Sequence, residues 1–185
     1  GYAPEDTSLL EKAAIPWKAL GWIGDPAELA LAYSAADVFV SPSFQDNLPN
    51  TANEALACGT PVGCFDRYSS EDVVIDGVTG LCARHPGLPL SPDGELLQQE
   101  PYEPVSEACA DLADKIFSLL SLSEDERRTL RVNCRAFAER VFSPALQAAR
   151  YLHTYRRLLG LPGIAVPGLE EDNGDPAGGL TKLDF

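Results

Sequence analysis

The chain has 185 residues, a formal net charge of −14, and 45% hydrophobic against 23% charged residues. That is the balance of a globular protein, and at this length roughly 70% of the unfolded surface is expected to be buried on folding. The charge excludes nucleic acid and anionic lipid as long-range partners. No run approaches the ~20 apolar residues of a membrane span, and no signal peptide opens the chain.

The first readable unit is Pro16 to Gly24, a short apolar run with two tryptophans that ends at glycine. It is expected to be a strand. Asp25, Pro26 and Glu28 then supply an N-cap, a first-position proline and a third-position acid, which together start a helix. Leu29, Tyr33 and Ala36 recur along it at helical spacing. Asp37 to Ser41 is β-rich and too short for a helix, so it predicts a buried strand. A polar loop from Pro42 to Asn50 leads to a second helix start at Thr51, with Glu54 three residues on as a capping box and Gly59 as terminator. Pro61 to Phe65 is another short apolar run.

This order of strand, helix, strand, loop, helix, strand implies a parallel sheet with helices on both faces. Such sheets bind ligands beyond the carboxyl ends of their strands, where the loop from Pro42 to Asn50 falls. Glu71 to Ala83 forms a small further unit. Arg84 to Pro104 has no periodicity and is expected to be a surface loop. Val105, Cys109, Leu112, Ile116 and Leu119 mark one helix. Ser123 with Glu126 opens another, carrying Leu130, Cys134, Phe137 and Val141. Ser143 and Pro144 start a last helix over 143–159, striped by Leu146, Ala149, Leu152, Tyr155 and Leu159. Residues 160–185, rich in glycine, proline and acids, are expected to be a disordered tail, which leaves 1–159 as the folded domain.

Five scattered cysteines, without a C-x-x-C pair and with only two histidines, indicate neither zinc nor a disulfide framework. Most of them sit in apolar patterns, where a free thiol acts as a small hydrophobe. A reducing cytoplasm, with peripheral attachment to the inner membrane surface left open, is the expected location.

The chemistry concentrates in Ser41 to Val62. Asp46 lies on the loop and Glu54 on the first turn of the following helix. Between them is a helix N-terminus whose free N–H groups and dipole suit a phosphate. An anionic nucleotide sugar would need such short-range donors, since the field of the whole chain opposes it. Asp46 also suits a turn, and Asn50 and Thr51 suit an ordinary N-cap. Arg67 and Arg84 follow predicted strand ends but read as surface arginines, and His85 and His153 as packing or surface residues.

Pro42, Ser43, Asp46, Glu54, Ala55, Gly59, Thr60, Pro61 and Val62 form a pattern that resembles the donor-binding motif of the retaining GT-B glycosyltransferases of family 4, the group 1 glycosyl transferases. Gly21, Gly24, Tyr33, Ala36 and Asp37 are similar to the preceding elements, and Asp76, Gly77 and Gly80 to the strand beyond. Phe142 to Leu159 resembles the terminal crossover helix of that family. The resemblance implies a Rossmann-like α/β fold, the C-terminal half of a GT-B enzyme truncated at its N-terminal edge.

It further implies Asp46 as the group beside the transferred sugar and Glu54 as the acceptor of ribose hydroxyls. Asn47, Leu48, Pro49, Asn50 and Thr51 would gather round the diphosphate, with Ile23 as a further donor contact. UDP- or GDP-sugars would be the donors and a glycan or lipid-linked molecule the acceptor, in surface polysaccharide biosynthesis, without metal or cofactor. The sequence departs from the family at three points. Asp46 stands where glutamate is usual, Tyr68 and Ser69 stand where paired glycines are frequent, and the basic pair of the first donor-domain strand is not in this chain. The acceptor-binding domain is expected to lie elsewhere. A non-catalytic binding domain and a GT-B nucleotide-sugar epimerase are the competing readings.

Overall fold

The structure is a computed structural model that describes residues 12, 15–43, 46, 48–67, 70–87 and 103–167. The elements in chain order are α1 (Pro26–Ala35), β1 (Phe39–Ser41), α2 (Asn50–Ala57), β2 (Val62–Phe65), α3 (Ser70–Val73), β3 (Gly80–Ala83), α4 (Glu103–Leu120), α5 (Glu124–Val141) and α6 (Pro144–Leu158). The strands form a parallel sheet in the order β1-β2-β3. This is an α/β architecture with a Rossmann-like parallel sheet flanked by helices.

Central strand β2 explains why the sheet is sandwiched. All four of its residues are buried, and because successive side chains point to opposite faces, both faces must be covered. Gly63 and Phe65 face α4. A Cβ on Gly63 would lie 3.3 Å from Ile116 and 3.9 Å from Leu112, and Phe65 packs with Ala83, Ala108 and Leu112 in one apolar cluster. Ala108, Leu112, Ile116 and Leu119 present one stripe of α4, the spacing that a helix needs to cover a sheet. Burying side chains such as Phe65 and Leu112 contributes roughly 1.5–3 kcal/mol each. Opposite β2, Gly80 pairs with Val62, and a Cβ at Gly80 would fall 1.9 Å from the Val62 carbonyl oxygen. Only glycine fits there.

The thiols are packed as the sequence suggested, with one exception. Cys64 and Cys82 are register partners on β2 and β3, with sulfurs 3.6 Å apart. The buried Cys134 donates to the Thr79 carbonyl at 3.2 Å. Cys109 is exposed on α4.

Helix starts follow the sequence at three places. The Asp25 carboxylate accepts from the Ala27 N–H at 3.3 Å ahead of Pro26. Ser123 and Glu126 bond reciprocally, the Ser123 N–H to Glu126 at 2.9 Å and the Glu126 N–H to the Ser123 hydroxyl at 3.4 Å. Serine donation holds the exposed Glu126 carboxyl below its ordinary range. Pro144 occupies the first turn of α6.

Three expectations are corrected. Pro16 to Gly24 is not a strand. Among the described residues no neighbouring strand pairs with it, and Trp22 stands 86% exposed. The second helix starts at Asn50, with Pro49 rather than a side chain at its N-cap position. Thr51 and Glu54 therefore form no capping box, and Glu54 lies on the second turn. Finally, α4 opens at Glu103, inside the span expected to be loop. Residues 88–102, Tyr68, Ser69 and 168–185 lie outside the described residues.

The chain separates into two compact units, the division falling inside α5 after Arg135. The second unit contains α6, none of whose residues is fully buried. Its His153 ring approaches the Ile164 carbonyl at 2.6 Å, and Phe137 and Phe142 meet edge to face at 5.5 Å.

Candidate functional site

The loop leaving the carboxyl end of β1 carries the candidate residues into α2. Pro49 is buried, and its carbonyl accepts from the N–H groups of Ala52 at 3.0 Å and Asn53 at 3.2 Å. Because proline has no side-chain acceptor, α2 begins without a side-chain cap. Among the described residues, none accepts from the backbone N–H of Asn50 or Thr51. These two donors and the helix dipole make the start of α2 receptive to an anion.

Asn50, Thr51 and Glu54 are exposed, Leu48 is 43% exposed, and Asp46 is exposed on the same loop. Ala52, Ala55 and Leu56 turn inward and are buried. The 3.6-residue period thus separates a packed face from a face that carries the polar groups. Asn47 lies outside the described residues. Ile23 is half-buried in the segment before α1, away in sequence from the loop that holds the others.

Glu54 has a partner that the linear pattern did not name. The Tyr33 phenol donates to Glu54 Oε2 at 3.0 Å across 21 residues of sequence. Tyr33 is itself held on two more sides. Its carbonyl accepts from the hydroxyl of fully buried Thr60 at 2.7 Å, and its ring meets Phe39 edge to face at 5.5 Å. Burial first, then the bond to Glu54, pushes the phenol up to about 12. A second overlooked residue is Asn53, whose side-chain Oδ1 is buried without a hydrogen-bond partner among the described residues. Its position between Ala52 and Glu54 was the available signal.

The far ends of α1 and α2 are fixed by arginines of α5 at four-residue spacing. Arg127 pairs with Asp37 at 2.6 Å. Arg131 donates to the carbonyls of Ala36 at 3.0 Å and Ser34 at 2.8 Å. Arg135 donates to the Ala57 carbonyl. Helix C-termini leave carbonyls unpaired and carry partial negative charge, so guanidinium groups fit them twice over. Anchoring both C-termini leaves the start of α2 at the carboxyl edge of the sheet.

Arg67 and Arg84 are brought together because β2 and β3 are neighbours. They line a cleft of about 440 Å³ with His85, Glu107 and Asp111. The two carboxylates offset the two cations, and Asp111 already accepts the Arg84 N–H at 2.7 Å. His85 is a packing residue, buried edge-on against Phe65 at 6.1 Å, with its ring Nδ1 accepting from Gly87 at 3.0 Å. No helix among the described residues is long and apolar enough to cross a membrane.

A family model described as "Glycosyl transferases group 1" matches residues 1–89. Residues 1–89 are thus similar to the group 1 glycosyl transferases. A D-inositol 3-phosphate glycosyltransferase of Nocardia farcinica is 32% identical over 135 residues, covering 72% of this chain and 25% of that protein. A protein of the same name from Paenarthrobacter aurescens is 43% identical over 54 residues, covering 29% of this chain and 13% of its own. The chain thus spans a quarter or less of the curated relatives it matches.

Proposed function

We propose that this chain forms the nucleotide-sugar side of a retaining glycosyltransferase, with the acceptor held by a domain outside it. The observation that carries this reading is the start of α2, where the N–H groups of the exposed Asn50 and Thr51 meet no acceptor among the described residues, on the helix that carries the exposed Glu54 and follows the carboxyl end of a parallel strand. Backbone donors there would take the distal phosphate, and Glu54 would accept from the ribose hydroxyls. Asp46, on the same loop, would lie beside the transferred sugar. Negative charge that develops on the departing nucleotide would be stabilised by the helix terminus, so catalysis is mainly electrostatic.

The donor class is a UDP- or GDP-sugar. For the acceptor, a glycan or lipid-linked molecule in surface polysaccharide synthesis fits the motif, whereas the names of the relatives favour a phosphorylated polyol such as D-inositol 3-phosphate. Transfer assays of the complete enzyme against both acceptors separate them. The donor site itself is tested by calorimetric titration with UDP, GDP and ADP. One nucleotide should bind saturably and at least tenfold more weakly to Glu54→Ala, and equal affinity in the variant would sink the assignment of Glu54.

A further inference from the structure

Resting on the donor-site reading above, we propose that Tyr33 is a positioning residue. Its phenol holds the Glu54 carboxylate in one orientation, leaving the second oxygen for a nucleotide ribose. An exposed glutamate ordinarily samples several rotamers and must give them up when it binds a ligand. Here one oxygen, Oε2, is already engaged at 3.0 Å, while Oε1 accepts from none of the described residues.

The donor of that bond is held by two further contacts. Thr60, fully buried just after α2, grips the Tyr33 carbonyl at 2.7 Å. Phe39 of β1 abuts its ring at 5.5 Å and 74°. Tyr33 therefore registers α1 against β1, against α2 at Glu54 and against the turn after α2 at Thr60, and it transmits that register to Glu54. Gly59 makes the return possible, with its positive φ of 75° and with Thr60 directly after it. A phenol whose titration lies well above neutrality remains a hydrogen-bond donor throughout the physiological range.

A merely structural bond would staple α1 to α2 without influencing the ligand, and the two roles differ in a measurable way. The test titrates the whole chain and its Tyr33→Phe, Glu54→Gln and double variants with UDP and with GDP. Tyr33→Phe keeps the ring against Phe39 and the carbonyl for Thr60, so the fold is retained. We expect Tyr33→Phe to weaken binding about tenfold, the size of one charge-assisted hydrogen bond. The double variant should be no weaker than Glu54→Gln alone.

Wild-type affinity in Tyr33→Phe, or losses that multiply in the double variant, would overturn the positioning role while leaving the donor site intact. Phenolate absorbance on raising the pH supplies a readout without ligand. Glu54→Gln should move the Tyr33 titration down from about 12. If that shift occurs but the wild-type chain binds neither nucleotide, the donor-site reading fails, and this proposal with it. If the shift is missing, the Tyr33–Glu54 contact itself is refuted.

Discussion

Gly80 is the residue with the least freedom in the sheet. It sits in register with Val62, whose carbonyl oxygen occupies the place where a Cβ would go, at 1.9 Å. Alanine there cannot be accommodated by a side-chain rotation, because the obstacle is backbone. Gly80→Ala is expected to lower unfolding stability by about 3 kcal/mol, at the upper end of overpacking costs, measured as a fall in denaturant midpoint. Gly77→Ala meets nothing within 4 Å but still strains a φ of 76°, so its cost should be nearer 1 kcal/mol. The glycines here were visible as letters in the sequence. Which of them was closed by a neighbouring strand was not, because that depends on a partner 18 residues away.

At the level of elements, the punctuation of the sequence carried most of the information. Asp25 with Pro26, Ser123 with Glu126, and Ser143 with Pro144 each mark a helix start that the structure also has. The β-rich runs before Ser41 and Phe65 both became strands, but only the second is buried; β1, expected to be buried, has no buried residue and leaves Val40 37% exposed, because β2 takes the centre of the sheet. The same local grammar failed at Thr51 and Glu54. The helix begins at Asn50 with Pro49 as its N-cap, so Thr51 and Glu54 sit inside it, and Glu54 meets Tyr33, 21 residues upstream, instead. It failed again at Pro16 to Gly24, where strand-like composition found no strand to pair with.

The three α5 arginines lay beyond any local rule, for Arg127, Arg131 and Arg135 meet partners 78 to 97 residues earlier in the chain. Arg131→Ala should leave the Ala36 and Ser34 carbonyls unpaired and destabilise by about 2 kcal/mol. Arg128→Ala, on an exposed neighbour, should change stability by less than about 0.5 kcal/mol. Equal thermal shifts in the two variants would show that the carbonyl anchors contribute nothing.

For the whole molecule, charge and site pull in opposite directions. A net charge of −14 repels an anionic nucleotide at distance, while the start of α2 attracts it only at contact. Screening acts mostly on the long-range part, with a Debye length of about 30 Å at 0.01 M ionic strength and about 8 Å at 0.15 M. The association rate of UDP or GDP should therefore rise, rather than fall, as salt increases across that range in stopped-flow measurements. A falling rate would mean that the local field at the site, and not the net charge, governs approach. Composition alone foretold the repulsion, but the balance between the two fields required the uncapped helix start, which sequence had assigned to Thr51 and Glu54.

The cysteines form a graded set of alarms. Cys64 and Cys82 lie sulfur to sulfur between two strands, and Cys82 is kept protonated by its bond to Cys64 and then by burial. Burial pushes Cys134 up to about 12 despite the nearby Arg131, while Cys109 lies open on α4. Since only thiolates react readily, an alkylating reagent or oxidant would meet the exposed Cys109 first and the buried Cys64 and Cys134 only when the core opens. The chain thus carries its own stopwatch, in which the lag between the first and the later modifications counts how seldom the core opens.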